Sequence, residues 1–265
     1  MRKDYHTHTF RCQHAIGDVI DYAASATKQG FQVIGSSDHT PFPDGRWNTV
    51  RMGLNELDNY IAAIEEAKTA YPELIILKGL ECEYSKESHN FFQEELLGKY
   101  QFDYLISGPH HFLYNGKWTG AHSYIKSKEE LYAYTKQLIE SMASGLFAFV
   151  AHPDLFGSSY ELWDENAISC SKQILEAAVE YQIPLEINAN GFRKPLIETP
   201  QGKRPPYPLY PFWELAAEYD LHVVVNSDAH HPENIGDIKE AVDLVKRYHL
   251  QLADLSYLEE KYLKP

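Results

Sequence analysis

Short apolar or β-branched runs alternate along the chain with longer amphipathic stretches, and this alternation predicts β-α units around a parallel sheet. Seven runs read as strands: residues 2–7, 32–36, 74–80, 102–107, 147–151, 184–187 and 222–226. Between them the spacing turns helical. Leu54, Leu57, Ile61, Ile64 and Lys68 follow a 3.6-residue stripe that stops at Pro72, where a proline cannot continue a helix. A second helix opens on the capping box Ser127-Lys128-Glu129-Glu130 and ends at Gly145. Helices are also expected over residues 18–29, 166–181 and 235–248. No Gly/Ser linker or charge block divides the pattern, so residues 1–265 are expected to form one domain of a length that α/β barrels commonly reach. The proline-dense residues 194–211 read as a structured loop, because strand and helix patterns resume directly after them.

Composition narrows the classes. The chain is 44% hydrophobic and 13% aromatic, enough for a sizeable core and incompatible with a disordered chain. No apolar run approaches the roughly 18 residues that span a bilayer, so a membrane partner is not expected. Lys plus Arg 24 against Asp plus Glu 38 gives a net charge of −14, which repels DNA and RNA at long range and argues against a nucleic-acid partner. Cys12, Cys82 and Cys170 are odd in number and scattered, which reads as reduced thiols. The N-terminal residues lack the apolar region of a secretory signal, and a cytoplasmic location is expected.

The histidines carry the chemistry. His6-Thr7-His8-Thr9 follows the first strand, with His14 in the loop beyond, and Ser37-Asp38-His39 follows the second. Later strands end in Glu81-Cys82-Glu83, His110-His111, His152-Pro153-Asp154 and Ser227-Asp228-Ala229-His230-His231. In a closed parallel barrel every strand C-terminus opens on one face, so these groups converge although they are distant in sequence. An extended His6-x-His8 puts two imidazoles on one side of the strand, where they can share an ion. Imidazole and carboxylate together suit Zn, Mn or Fe, whereas Mg or Ca sites prefer oxygen alone. A single strand-end histidine is more often a hydrogen-bonded surface residue; six of seven strand ends bearing His or acidic ligands is another matter. Glu83 and Asp154 read as helix caps, Cys12 and Cys82 as packing residues, and His122, His89, His222 and His249 as having no part in the site.

Taken together, these motifs resemble the PHP (polymerase and histidinol phosphatase) family of metal-dependent phosphoesterases, in the family's order and over nearly the whole chain. The resemblance implies a distorted TIM-like (β/α)7 barrel with three divalent metal ions. It implies that His6, His8, Glu81 and Asp228 hold the first ion, Glu81, His110 and His152 the second with Glu81 bridging, and His39, His230 and His14 the third. Many family members carry an acidic residue near the position of His14, and the register between His110 and His111 stays open. Within the family the chain is similar to stand-alone histidinol-phosphate phosphatases, through the stretch Glu186-Ile187-Asn188-Ala189-Asn190-Gly191-Phe192-Arg193-Lys194-Pro195 and the proline-rich segment after it.

That resemblance implies a small-molecule phosphate monoester, L-histidinol phosphate, as substrate. Attack by a metal-bridging hydroxide is the expected mechanism, with Asp228 orienting it and the leaving-group proton left open between His39, His230 and a metal-bound water. Arg193 is the first choice as a phosphate clamp, because a guanidinium bonds two phosphate oxygens at once, with Arg46 and Lys194 as further candidates. The rivals are a phosphoesterase for a nucleotide, sugar phosphate, phosphodiester or phosphotyrosyl peptide, an amidohydrolase-like barrel, and a non-catalytic metal-binding protein. No glycine-rich phosphate loop or G-x-S-x-G supports NAD, ATP or serine-hydrolase chemistry.

Overall fold

The computed structural model describes residues 2–263. Strands β1 (Lys3–Thr7), β2 (Val33–Ser36), β3 (Ile75–Cys82), β4 (Tyr104–Ser107), β5 (Phe149–Val150), β6 (Leu185–Asn188), β7 (His222–Asn226) and β8 (Gln251–Leu252) lie side by side in chain order. Every neighbouring pair is parallel. The seven expected strands are all present. β8 is the addition, and two residues are too few to leave a periodic signature in sequence.

The sheet curls until its ends meet, unequally at top and bottom. At the C-terminal rim Thr7 bridges to Ala229, and the His8 N–H donates to the Ala229 carbonyl at 3.0 Å. At the floor β8 instead occupies the edge of β7, pairing with His222 and Val223. The buried Asp4 carboxylate crosses the seam, accepting the Ser227 N–H on both oxygens at 3.2 Å. The result is a barrel closed at its rim and wedged at its floor, which is the distorted TIM-like (β/α)7 form.

Helices cover the outside and start where their caps dictate. Asp18 and Asp21 form a capping box for Val19–Lys28, and Ser127 and Glu130 do the same for Lys128–Ala143. Glu165–Glu180 follows the Asp164 cap, and Leu57–Ala70 lies between β2 and β3. The last amphipathic stretch is helical only over Lys239–Tyr248, because Gly236 sits at φ +74° and interrupts the expected first turn. Residues 194–211 contain a small antiparallel hairpin, Ile197–Thr199 with Gly202–Arg204. A second hairpin, His111–Tyr114 with Lys117–Gly120, turns on Asn115-Gly116, both at positive φ.

The barrel interior has two layers. Below, Tyr5, Val33, Leu77, Tyr104, Ile106, Phe149 and Val224 form an apolar cluster that Leu255 and Leu258 close from underneath. Glu259, on the same C-terminal segment, accepts Lys3 Nζ at 2.7 Å and Tyr5 Oη at 2.6 Å. Above this floor the inward side chains become polar. In β1 the change is made by a register shift against β2 between Asp4 and Thr7, an extra residue that lets both Tyr5 and His6 point inward. Tyr5 stays in the apolar layer, and His6 with His8 enters the polar one.

Candidate metal centre

Ligand atoms from six strand ends meet on the upper layer. His6 Nε2 lies 3.1 Å from His8 Nε2 and 3.3 Å from Glu81 Oε2, while Asp228 Oδ1 is 3.0 Å from His8 Nε2. His39 Nδ1 approaches Glu81 Oε2 at 3.2 Å. The other carboxylate oxygen, Oε1, is 3.0 Å from His152 Nε2 and 3.5 Å from His110 Nε2. Glu81 therefore presents its two oxygens to two separate sets of imidazoles. Three sets of donors, His6–His8–Glu81, His39–Glu81–His110 and His8–His39–His230, each lie within 4.8 Å of one another. His14 is exposed, yet its ring stacks on His230 at 4.8 Å and its Nδ1 donates to the Cys12 carbonyl at 2.6 Å, leaving Nε2 a free lone pair. Of the adjacent pair, His110 is the one that reaches Glu81; His111 turns to Glu83 and stacks on Trp47 at 4.2 Å.

A layer of carboxylates and amides aims these donors. Glu186 accepts His6 Nδ1 at 2.9 Å, the Asn226 amide at 2.9 Å, the Asn188 amide at 2.7 Å and the His152 N–H at 3.2 Å. Asp38 faces His8 Nδ1 at 3.5 Å, and Glu83 accepts His110 Nδ1 at 3.2 Å while holding Arg51 through two bonds of 2.6 and 2.7 Å. Three imidazoles thus have their outer nitrogen turned to a carboxylate, which fixes the ring and leaves the inner nitrogen as a lone-pair donor. Asp228 Oδ2 accepts both the Asn188 and Asn190 amides, so only Oδ1 faces the imidazoles. His152 and Asp228 have φ of 29° and 48°, a conformation that non-glycine residues rarely adopt and that recurs at functional sites.

Glu81 Oε2 and Asp228 Oδ1 are buried without a hydrogen-bond partner. An orphaned carboxylate oxygen ringed by imidazole lone pairs is stable only with a cation, so the donor set fits divalent metal. Without metal, protons take that part. Burial opposes charge on His6, but Glu186, Glu81 and Asp228 outweigh it and raise the imidazole well above its ordinary value. Burial also opposes charge on His8, and the facing carboxylates of Asp228 and Asp38 bring it up to about 9. Against the effect of their own burial, Glu81 and Asp228 are held well below the carboxylate range by the surrounding histidines. His39 and His230 go the other way, pushed well below the ordinary imidazole value by burial and by the nearby His8.

The expected phosphate-binding residues are dispersed. Arg193 donates to the backbone carbonyls of Ser227, Asp228 and Asp237 and does not line the cavity over the donors. It braces the loop that carries Asp228. Arg46 pairs with Asp44 and lies over Trp118 at 5.3 Å, outside that cavity. Lys194 does line it, together with Asn190, Tyr207 and His122. The capping roles expected for Glu83 and Asp154 are corrected. Glu83 serves Arg51 and His110, and Asp154 caps nothing but accepts the Leu209 N–H at 2.6 Å and Trp213 Nε1 at 3.0 Å. His122, expected to stand apart, is in the cavity wall. Glu186 was missed; its signal was an acid inside the buried apolar run Leu185–Asn188.

Barrel and donor set together define a metal-binding α/β barrel with its site on the C-terminal rim. Comparison with known proteins makes this specific: the model of the PHP domain matches residues 4–190, and the chain belongs to the PHP family. A probable histidinol-phosphatase of Deinococcus radiodurans is 31% identical over 244 residues, covering 88% of each chain. A second probable histidinol-phosphatase, from Schizosaccharomyces pombe, is 25% identical over 260 residues, covering 87% of this chain and 81% of the relative. The fold is similar to that of the histidinol phosphate phosphatase of Lactococcus lactis, solved with Zn, L-histidinol and phosphate. Against that structure the TM-score is 0.74, with 18% identity over 97% of both chains.

Proposed function

We propose that this protein is a histidinol-phosphatase of histidine biosynthesis, hydrolysing L-histidinol phosphate to L-histidinol and phosphate in the cytoplasm. Residues 1–265 act as one phosphoesterase domain with three divalent ions of the Zn, Mn or Fe type. The observation that carries this reading is the pair of buried, unpartnered oxygens, Glu81 Oε2 and Asp228 Oδ1, set among inward-facing imidazoles. The likeness to the Deinococcus relative supports the choice of substrate.

Divalent metal bound at these donors would supply Lewis acidity, lowering the pKa of water from 15.7 to about 7 and balancing phosphoryl charge. His6, His8, Glu81 and Asp228 would hold the first, Glu81, His110 and His152 the second, and His39, His230 and His14 the third. Asp228, with Oδ2 pinned by two amides, offers Oδ1 to orient the attacking water. Lys194 is the cation that lines the cavity and meets the phosphoryl oxygens. Arg193 acts indirectly, by fixing the Asp228 loop.

The test is a panel of L-histidinol phosphate, a mononucleotide, a sugar phosphate, a phosphodiester and a phosphotyrosyl peptide, with enzyme of measured metal content. A kcat/KM highest for L-histidinol phosphate, abolished by chelation, is the expected result. Preference for another ester replaces the substrate and retains the chemistry; no turnover of any ester by fully metallated protein overturns both.

A further inference from the structure

Ester hydrolysis leaves one proton unassigned. An alkyl phosphate departs as a strongly basic alkoxide unless an acid protonates its oxygen as the bond to phosphorus breaks. His39 and His230, the imidazoles expected to serve, belong to the donor set, and an imidazole nitrogen that binds metal has no proton to give. The acid is better sought among the cavity-lining residues that are not metal donors, namely Asn190, His122, Lys194 and Tyr207.

Asn190 is committed to Asp228 through its amide at 3.2 Å and is no acid. His122 and Lys194 are exposed side chains in the cavity wall. Tyr207 differs from all three. It is 3% exposed, and its ring lies 5.7 Å from that of His152 and 6.4 Å from that of His122.

The surrounding chain is built to hold it there. Arg204 ties down the segment leading to it, donating to the carbonyls of Pro205 at 2.9 Å and Pro206 at 3.2 Å and to that of Gly157 at 2.9 Å. Just beyond, the buried Asp154 takes the Leu209 N–H and the Trp213 indole. The fit is so close that a Cβ on Gly191 would lie 2.0 Å from the Tyr207 carbonyl oxygen, and one on Gly157 2.5 Å from Leu209 Cδ2. Asp154 and Arg204 otherwise have no part in the metal centre. Their convergence on this segment is explained if the position of Tyr207 matters, since a reacting group must be held in place before reaction.

We infer that Tyr207 is the general acid for the leaving group, resting on the phosphatase reading above. A water oxygen bonds to phosphorus, and the bond from phosphorus to the ester oxygen breaks with its electron pair staying on that oxygen. Tyr207 Oη gives the oxygen its proton, releasing the alcohol. The proton shed by the attacking water restores the phenol, so the sum is ester plus water to alcohol plus phosphate.

The test compares wild type with Tyr207→Phe, which keeps the ring, on L-histidinol phosphate and on 4-nitrophenyl phosphate, whose leaving group needs no proton. On L-histidinol phosphate kcat falls by about 100-fold or more, whereas on 4-nitrophenyl phosphate it changes by less than about threefold. Across aryl phosphates of rising leaving-group basicity, the dependence of rate on basicity steepens in the variant. Metal content per chain and affinity for inorganic phosphate stay at wild-type values, which separates proton donation from damage to the site. An equal fall on both esters, or no fall on either, overturns this inference alone. Wild-type enzyme that releases no phosphate from L-histidinol phosphate overturns the proposed function and the inference with it.

Discussion

Glu186→Gln tests whether the carboxylate layer behind the histidines sets metal affinity. In the native protein four donors share two oxygens: His6 Nδ1 and the Asn226 amide on Oε1, the Asn188 amide and the His152 N–H on Oε2. A glutamine has one oxygen, so whichever way its amide is turned, two of those donors face an NH2 group. If the NH2 takes the Oε1 side, the donor lost is the one that keeps His6 Nε2 free for metal. If it takes the other side, the backbone that positions His152 loses its acceptor. Loss of such an outer partner lowers metal affinity by about 10- to 100-fold, which is roughly 1.4–2.7 kcal/mol. The assay is competition for zinc between stripped protein and a chromophoric chelator, with Glu180→Gln on the exposed face of Glu165–Glu180 as control. Zinc affinity of Glu186→Gln within about threefold of wild type would refute the account of Glu186 as the group that aims His6.

Other consequences are as direct. Arg51→Met strands the buried Glu83 carboxylate and should destabilise the protein by about 3–5 kcal/mol in denaturant titration; the double variant with Glu83→Leu should recover much of that, and additive losses would deny the pairing. The pH dependence of the metal-free protein follows from His8. Its folded value of about 9 is above the unfolded 6.5, so its contribution is fully present below pH 6.5 and is lost as pH rises to 9. The Tm of stripped protein should therefore fall over pH 6.5–9 while that of zinc-loaded protein does not, because metal has displaced the proton; parallel curves would contradict this. Gly35→Ala would place a Cβ 1.9 Å from Tyr104 Oη, which donates to the Tyr5 carbonyl beneath the centre, and should destabilise by about 1–3 kcal/mol or more. An unchanged unfolding midpoint would show that the apolar layer can yield.

Much of the fold was legible because it rests on periodicity. Seven strands and the capping box at Ser127 are local signals, and the candidate donors stand at or just beyond the C-terminal ends of strands, where a barrel gathers them. What the sequence hid depends on three-dimensional context. The shift in β1 that turns both Tyr5 and His6 inward has no one-residue signature. β8 is legible only once the edge of β7 exists to pair with it. Glu186 sits in an apolar run and becomes a binding partner only when β1 and β5 deliver His6 and His152 to it. Arg193 is expected from the sequence as a phosphate clamp, but its guanidinium is turned to the carbonyls after β7, a direction set by the folded loop and not by the local sequence. Asn115-Gly116, at positive φ between two paired strands, is a local hairpin signal that lies outside the β-α alternation.

The central claim is that the converging imidazoles and carboxylates form a metal centre that hydrolyses L-histidinol phosphate. Its most direct test is to strip the protein, add back zinc or manganese in steps, and follow bound metal per chain together with phosphate released from L-histidinol phosphate. The account predicts that activity appears in step with occupancy and that His8→Ala and Asp228→Asn lose both. Full occupancy with no phosphate release, or wild-type turnover and metal content in either variant, would contradict it.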